Sequence, residues 1–332
     1  MKIVLMEPLG ISQETLSALS EKLTAEGHTF TAYDTVTTDT QELIERAGDA
    51  EVLIIANHPL PGDVIRADEN LKMISVAFVG IDHVDVEACK EKGVLISNTG
   101  GYCNDAVAEL AVGLTLDCLR NITAGDASVQ AGGGKAGLQG HELAGKTVGI
   151  VGTGKIGRVF ADICKGFGMK ILAYDKFPNP DAGLDYVDLP ELFAQADIIS
   201  LHCPLTEETH HLINADTIAM MKKGVTIINT SRGALVDTEA LINGIKEKKV
   251  GAACLDVYEE EGDFFYEDFS GHIVQDDKLV RLIAMPNVIV TSHQAFLTQE
   301  ALDSIASTTV DNLKQFFAGT PNASTEVRYT AQ

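Results

Sequence analysis

Three ionisable residues in the second half of the chain each follow a run of apolar residues: Arg232, Glu261 and His293. The planar guanidinium of an arginine can hold a carboxylate through two parallel hydrogen bonds. A histidine exchanges protons near neutral pH, and a neighbouring carboxylate stabilises its protonated ring. These residue types suit a site that anchors an organic acid and moves one proton to or from its oxygen.

Each of these residues alone also has a structural interpretation, as a surface ion pair, a solvated acidic turn or a structural histidine. Their three positions, however, follow successive apolar segments of the chain. The carboxyl ends of parallel strands gather at one edge of a sheet, and ligands bind there. We therefore interpret the arginine, the acid and the histidine as one catalytic set.

A glycine-rich turn lies earlier in the chain, in the sequence Val148-Gly-Ile-Val-Gly-Thr-Gly-Lys-Ile-Gly157. The residues around it predict a strand followed by a helix, whose first amides and dipole suit a pyrophosphate. Asp175 ends the next apolar run, where a carboxylate would meet an adenosine ribose and repel a 2′-phosphate. The pattern predicts NAD rather than NADP as the cofactor. Its predicted contacts are Asp175 and the turn residues Gly152, Thr153, Gly154 and Gly157.

A nicotinamide cofactor and the catalytic set together define a reaction. NADH would supply a hydride to a carbonyl carbon. His293 would protonate the carbonyl oxygen, Glu261 would orient the imidazole, and Arg232 would hold the substrate carboxylate. The sequence therefore predicts reduction of a small 2-oxo acid to a 2-hydroxy acid, with the histidine acting as base in the reverse direction.

Two series of alternating strands and helices are predicted, separated by a long helix from Asn104 and a glycine-rich loop. The predicted fold class is α/β, with two Rossmann-like or flavodoxin-like doubly wound parallel-sheet domains and a ligand cleft between them. We expect a substrate domain of residues 1–103 plus 296–332, in which a last helix over 298–317 packs on the first hundred residues. Residues 104–295 are the expected NAD-binding domain. The predicted strands are 2–6, 29–33, 51–56, 72–76, 94–98, 147–151, 170–174, 197–201, 225–229, 251–255 and 288–291.

Composition excludes several classes of function. The net charge of −23 disfavours binding to nucleic acid and to anionic membranes. The first residues predict a core strand rather than a signal peptide, so we expect a cytoplasmic enzyme. The six cysteines contain no Cys-x-x-Cys, and we expect no disulfide framework and no metal. The adjacent His210 and His211 have no ligand partner nearby in sequence and are interpreted as an exposed loop pair.

Several separated motifs in the same order resemble the D-specific 2-hydroxyacid dehydrogenase family over essentially the whole chain. The resemblance implies two such domains, a hinged cleft, usually a homodimer, and Arg232, Glu261 and His293 as the catalytic residues. It also implies cofactor contacts at Lys155, Ile156, Cys203, Pro204, Thr209, Thr230 and Ser231, with Asp256 meeting the nicotinamide amide. The matching stretches are 148–157, 201–209, 229–237, 251–262 and 291–296.

Within the family, the chain resembles the lactate branch most, through residues 262–268 and 293–298. By this resemblance Tyr102 and Phe296 line the substrate site, and the turn Phe78-Val79-Gly80 meets the substrate carboxylate through its backbone. Two stretches depart from that branch: Ala77-Phe78 is apolar, and residues 136–142 are closer to the phosphoglycerate or hydroxypyruvate members. Pyruvate to D-lactate is the expected reaction.

Other functions stay open at this point. A D-2-hydroxyisocaproate, phenyllactate or hydroxypyruvate-type dehydrogenase fits the same residues, because apolar side-chain preference changes by only about 1–3 kcal/mol per methylene. A non-enzymatic NAD-sensing protein would not need the complete catalytic set. A formate dehydrogenase would carry glutamine where this chain has Glu261.

Overall fold

The computed structural model describes residues 1–261, 265 and 272–320, together with the backbone of 326–327. The chain divides into a first unit, Met1–Tyr102 with the residues from Leu297 onward, and a second unit, Cys103–Phe296. Each unit is built on a twisted sheet with flanking helices. Within the described part of the chain, no helix has both the length and the apolar character that a membrane crossing requires.

The first unit begins with five parallel strands in the spatial order β5-β4-β3-β1-β2, as in flavodoxin-like folds. Its central strands are buried on both faces, which explains why β3 is entirely apolar and β4 is apolar except for Ser75. A short strand, Glu326–Val327, pairs antiparallel with the outer edge of this sheet. The strands are β1 (Lys2–Leu5), β2 (Thr29–Ala32), β3 (Val52–Ile55), β4 (Met73–Val76) and β5 (Leu95–Asn98). The helices between them are α1 (Gln13–Ala25), α2 (Thr40–Ala47), α3 (Gly62–Ala67) and α4 (Val86–Lys92).

The second unit contains six parallel strands and seven helices among its described residues. The strands are β6 (Thr147–Val151), β7 (Lys170–Tyr174), β8 (Ile198–Leu201), β9 (Val225–Asn229), β10 (Val250–Leu255) and β11 (Val288–Val290). The helices are α5 (Asn104–Arg120), α6 (Ile122–Gln130), α7 (Lys155–Gly166), α8 (Leu189–Gln195), α9 (Ala215–Met220), α10 (Thr238–Lys246) and α11 (Asp277–Ile283).

Strand order in the second unit is β7-β6-β8-β9-β10-β11. Tyr186 forms an isolated parallel bridge with Ala173 on the free side of β7, supported by two backbone hydrogen bonds of 2.8 and 2.9 Å. If the strands of this unit are numbered along the chain from β6, with that bridge counted as a rudimentary third strand, their spatial order is 3-2-1-4-5-6-7. This is the Rossmann order with β11 as one additional strand at the edge. The order reverses between β6 and β8, which is the position where this fold binds ligands.

The predicted strands are confirmed, each within one residue at either end. The long helix predicted from Asn104 is confirmed as α5, and it ends where Asn121 adopts a left-handed φ of 52° and separates α5 from α6. Asparagine tolerates this conformation better than most residues, so it ends a helix without a glycine. The break is therefore encoded by one residue inside an otherwise helical pattern.

The predicted return of the last helix onto the first hundred residues is confirmed. Helix α12 (Gln299–Phe317) starts at Thr298, whose side chain accepts the amide of Ala301. Its buried face contributes Ile305 and Leu313 to one apolar cluster with residues of β1, β3 and α1. Asn312 also donates to the carbonyl of Asn98 at 3.0 Å. The first unit therefore closes its core with a helix from the far end of the chain.

His202 follows β8 and packs inside the second unit. Its ring centroid lies 4.9 Å from that of Phe160, and its Nε2 lies 2.9 Å from Ser200 Oγ. Burial lowers the pKa of His202 to about 4, because the apolar surroundings penalise the charged ring. The folded protein therefore contains this histidine in its neutral form at neutral pH.

This lowered pKa predicts acid sensitivity. An unfolded histidine titrates near 6.5, so the unfolded chain binds this proton first as the pH falls. Between about pH 7.5 and about pH 5, His202 should lower the free energy of unfolding by about 2 kcal/mol, with no contribution above that window. Urea unfolding followed by circular dichroism should show a smaller pH dependence for His202→Gln than for the wild type. His141→Gln, at an exposed position, is the control, and equal pH dependence in all three proteins would contradict the prediction.

Candidate active site

In the glycine turn after β6, backbone contacts leave no space for a side chain at Gly152 and Gly157. Gly152 has φ +96°, and a β-carbon there would lie 2.6 Å from the backbone nitrogen of Cys203. A β-carbon on Gly157 would lie 2.1 Å from the carbonyl oxygen of Gly152. Gly154 precedes α7 and gives the helix no side-chain cap. The first amides of α7 can therefore serve an anion such as a pyrophosphate.

Asp175, at the end of β7, is fixed against this turn. One carboxylate oxygen accepts the amide of Thr153 at 2.6 Å and its hydroxyl at 3.0 Å, and the other accepts the amide of Phe177 at 2.9 Å. Tyr186 adds a contact of 2.8 Å between its hydroxyl and the Thr153 hydroxyl. No local sequence pattern indicates this position of Tyr186, because the bridge that places it depends on strand pairing.

The loops after β8 and β9 hold further predicted cofactor residues. Ser231 Oγ donates to the carbonyl of Cys203 at 2.7 Å, and Thr209 Oγ1 donates to the carbonyl of Pro204 at 2.7 Å. Burial raises the pKa of Cys203 to about 11, so its thiol is protonated and serves as a small apolar group. Thr230 Oγ1 is buried with no hydrogen-bond partner among the described residues. An unsatisfied buried hydroxyl at this strand end suits a polar atom of a bound cofactor.

Arg232 lies on the next loop, immediately after β9. Asn229 donates from its side chain to the Arg232 carbonyl at 2.8 Å, and Arg232 Nη1 donates to the carbonyl of Ser231 at 2.9 Å. A β-carbon on Gly233 would lie 2.0 Å from the carbonyl oxygen of Tyr258. The loop that carries Arg232 therefore lies directly against the loop that carries Glu261.

Glu261 and His293 form a hydrogen-bonded pair. His293 Nδ1 lies 2.7 Å from one carboxylate oxygen of Glu261, and the other oxygen accepts the amide of Tyr258 at 2.8 Å. The side chain of His293 is 23% exposed and that of Glu261 is 16% exposed, so little water competes for the contact. The structure thus brings together two of the predicted catalytic residues, and the carboxylate is oriented before it meets the imidazole.

Asp256 positions the loop that carries the histidine. Its fully buried carboxylate accepts the Thr291 hydroxyl at 2.5 Å and the amides of Gln294 and Ala295 at 3.0 and 2.8 Å. Its carbonyl accepts the amide of His293 at 2.7 Å. Burial raises the pKa of Asp256, and these hydrogen bonds act in the opposite direction. The nicotinamide contact of Asp256 stays a prediction. The sequence did not indicate that Asp256 also positions the loop that carries His293.

Four of the predicted substrate residues lie in the first unit. Phe78 packs edge-on against Tyr102, with ring centroids 6.1 Å apart and an interplanar angle of 82°. The carbonyl of Val79 accepts the Asn98 side chain at 2.6 Å, which fixes the turn that continues into Gly80. Phe296 belongs to the second unit and is partly buried. Of the lactate-like stretch 262–268, positions 262–264 and 266–268 lie outside the described residues.

His210 and His211 were expected to form an exposed loop pair, and this is wrong for His211, which is partly buried and contacts an acidic side chain. His211 Nε2 lies 2.5 Å from Glu259 Oε1, and the two histidine rings stack with centroids 4.0 Å apart. His211 follows β8 and Glu259 follows β10, so spacing along the chain gave no indication of the contact. The side chain of His210 is exposed, as expected.

Residues 112–295 match the family model described as the D-isomer specific 2-hydroxyacid dehydrogenase, NAD binding domain. The chain belongs to this family. As a D-2-hydroxyacid dehydrogenase it is an enzyme that uses NAD(H). This result confirms the predicted cofactor and excludes the interpretation as a non-enzymatic NAD sensor.

Relatives of this dehydrogenase act on several 2-hydroxy acids. It is 47% identical to the D-lactate dehydrogenase of Escherichia coli K12, an alignment that covers 75% of this chain and 77% of the relative. It is 43% identical to a hydroxypyruvate reductase of Thermotoga maritima, covering 78% and 82%. The solved structure of a D-2-hydroxyisocaproate dehydrogenase superposes with a TM-score of 0.84 at 31% identity, covering 98% and 99%. These relatives share one family of dehydrogenases and are named for different substrates.

The position of Asp175 predicts cofactor preference in this dehydrogenase. Asp175→Asn keeps an acceptor for Thr153 but removes the charge that would repel a 2′-phosphate. The ratio of kcat/KM with NADPH to that with NADH should rise about tenfold or more, equivalent to about 1.4 kcal/mol. Asp162→Asn makes the same change of charge at an exposed position of α7 and should leave the ratio unchanged. An unchanged ratio in both variants would mean that other groups select the ribose.

Proposed function

We propose that this dehydrogenase reduces pyruvate to D-lactate with NADH, using Arg232, Glu261 and His293. The hydrogen-bonded pair of His293 and Glu261 is the observation that carries the proposal. A half-buried imidazole with an oriented carboxylate on one nitrogen is suited to donate a proton from the other nitrogen. Arg232 follows the adjacent strand and supplies the group that recognises a carboxylate.

Proton transfer in this scheme uses the two nitrogens of His293 differently. Nδ1 faces Glu261, so Nε2 delivers the proton to the carbonyl oxygen of the substrate. The carboxylate stabilises the imidazolium before transfer and keeps the ring in one orientation. Tyr258 holds the second carboxylate oxygen through its amide, which prevents Glu261 from rotating away. In the oxidative direction the same nitrogen accepts the hydroxyl proton.

Other groups of the second unit contribute to substrate and cofactor binding. Arg232 pairs with the substrate carboxylate and stabilises the negative charge that develops on the carbonyl oxygen. The turn of residues 152–157 would hold the pyrophosphate of NADH, and Asp175 would hold its adenosine ribose. Bound NADH supplies the hydride for the carbonyl carbon. The neutral thiol of Cys203 and the hydroxyl of Thr230 would complete the cofactor surface.

The first test is NADH oxidation by purified protein with a panel of 2-oxo acids. The panel contains pyruvate, 2-oxobutyrate, 2-oxoisocaproate, phenylpyruvate, hydroxypyruvate and glyoxylate, and the chirality of each product is measured. We expect the highest kcat/KM with pyruvate and a D-product, with a loss of about tenfold or more for each added methylene. A maximum with hydroxypyruvate or 2-oxoisocaproate would replace pyruvate as the substrate, and an L-product would contradict the proposal entirely.

The second test separates proton transfer from cofactor binding. His293→Gln should lower kcat by about 10²–10⁴-fold, the range expected for loss of a general acid, with little change in the Kd for NADH. Glu261→Gln should lower kcat less, because the imidazole remains but loses its charged partner. His141→Gln, an exposed histidine in the same unit, should retain wild-type kcat. A large loss of NADH affinity in His293→Gln, with kcat retained at saturation, would exclude the assigned role.

A further inference from the structure

We propose that His210, His211 and Glu259 form a binding site for Zn²⁺ that the hydride-transfer chemistry does not use. Each residue offers one ligand atom, and these atoms all lie within 4.8 Å of one another. Two imidazole nitrogens and one carboxylate oxygen form a donor set that zinc accepts. The proposal does not depend on the identity of the 2-oxo acid.

Glu259 is held in place by groups that leave one oxygen toward the histidines. One carboxylate oxygen accepts the hydroxyl of Thr238 at 2.9 Å and its amide at 3.4 Å. Thr238 is 4% exposed at the start of α10, so this support is buried within the fold. The other oxygen faces His211. Support of a ligand carboxylate by hydrogen bonds from a second layer is a regular feature of protein metal sites.

His211 is held through its backbone on both sides. Its amide donates to the carbonyl of Ala234 at 2.8 Å, and its own carbonyl accepts the side chain of Asn214 at 2.9 Å. Its φ of 51° is in the left-handed region, which turns its ring toward Glu259. The amide of His210 donates to the carbonyl of Thr206 at 2.9 Å. The two imidazoles are thus presented side by side by one short, hydrogen-bonded turn.

A modest side-chain rearrangement would admit the ion. Nε2 of His211 and Oε1 of Glu259 are 2.5 Å apart, whereas two ligands at about 2.0–2.1 Å on a tetrahedral ion lie roughly 3.3 Å apart. Rotation of the rings out of their stack would turn both nitrogen lone pairs toward one point. His210 is exposed, so an ion would enter from solvent and keep water in the remaining position. The net charge of −23 also favours cations near the surface.

The donor set selects among cations. Ca²⁺ and Mg²⁺ require six or more oxygen ligands, and one carboxylate with two imidazoles does not supply them. Zn²⁺ accepts this mixture in tetrahedral geometry, with three protein ligands and one water. The structure therefore points to zinc rather than to an alkaline-earth ion.

Isothermal titration of full-length, EDTA-treated protein with ZnCl₂ tests the proposal. We expect one ion per chain in the wild type, and affinity at least tenfold weaker in His210→Asn and in His211→Gln. X-ray absorption at the zinc edge of the wild type should show two imidazole ligands. Because the readouts are stoichiometry and coordination, failure of the proposed reaction would not affect them.

Two controls make the outcome decisive. His141→Asn removes an exposed histidine from the same unit and should bind zinc as the wild type does. Circular dichroism of His210→Asn should match the wild type, because the described contacts of its side chain are limited to the stacked ring. Absence of stoichiometric binding in the wild type, or equal affinity in the wild type and both histidine variants, would overturn the proposal.

Discussion

The arrangement of the second unit depends on one buried carboxylate. Asp256 is fully buried at the end of β10, where an unsatisfied charge would cost several kcal/mol. It is satisfied by donors from the loop after β11, and its carbonyl binds the amide of His293. If this loop moved away from the sheet edge, the buried carboxylate of Asp256 would lose its three hydrogen-bond donors. The position of His293, the proton donor of the proposed reaction, therefore follows from the satisfaction of the Asp256 carboxylate.

Backbone contacts at glycines set the distances between neighbouring backbone segments at this edge of the sheet. Where Gly233 meets Tyr258, and where Gly157 meets Gly152, any side chain would overlap with a carbonyl oxygen. Such contacts cannot be adjusted by rotation of a side chain, so the distances between neighbouring loops are fixed by the main chain. The carboxyl ends of the parallel strands thus form a rigid edge, on which long side chains such as that of Arg232 are presented.

The sequence predicted what is encoded locally and failed where contacts are long-range. Strands such as β3 and β11 are continuous apolar runs, so their positions were evident. The role of Tyr186 requires a strand pairing with β7, and the contact of His211 with Glu259 joins two loops through the folded sheet. The family resemblance assigned Asp256 to the cofactor. Its hydrogen bonds to the loop after β11 could not be predicted, because only the folded loop shows which amides reach its carboxylate. The contact between Glu261 and His293 could be expected from their places after neighbouring strands, whereas the groups that orient the two side chains could not.

The acidic run after β10 shows how one short turn can serve separate sites. Glu260 is exposed and pairs with Lys278 at 3.4 Å, while Glu259 faces His211 and Glu261 faces His293. Acidic runs are usually solvated, but here the alternate carboxylates each face a different histidine. Glu259 is held by Thr238, and Glu261 is held by the amide of Tyr258, so each carboxylate is oriented by its own donor. One short turn therefore presents two acids to two different histidines, because each acid has a separate hydrogen-bonding partner on the protein.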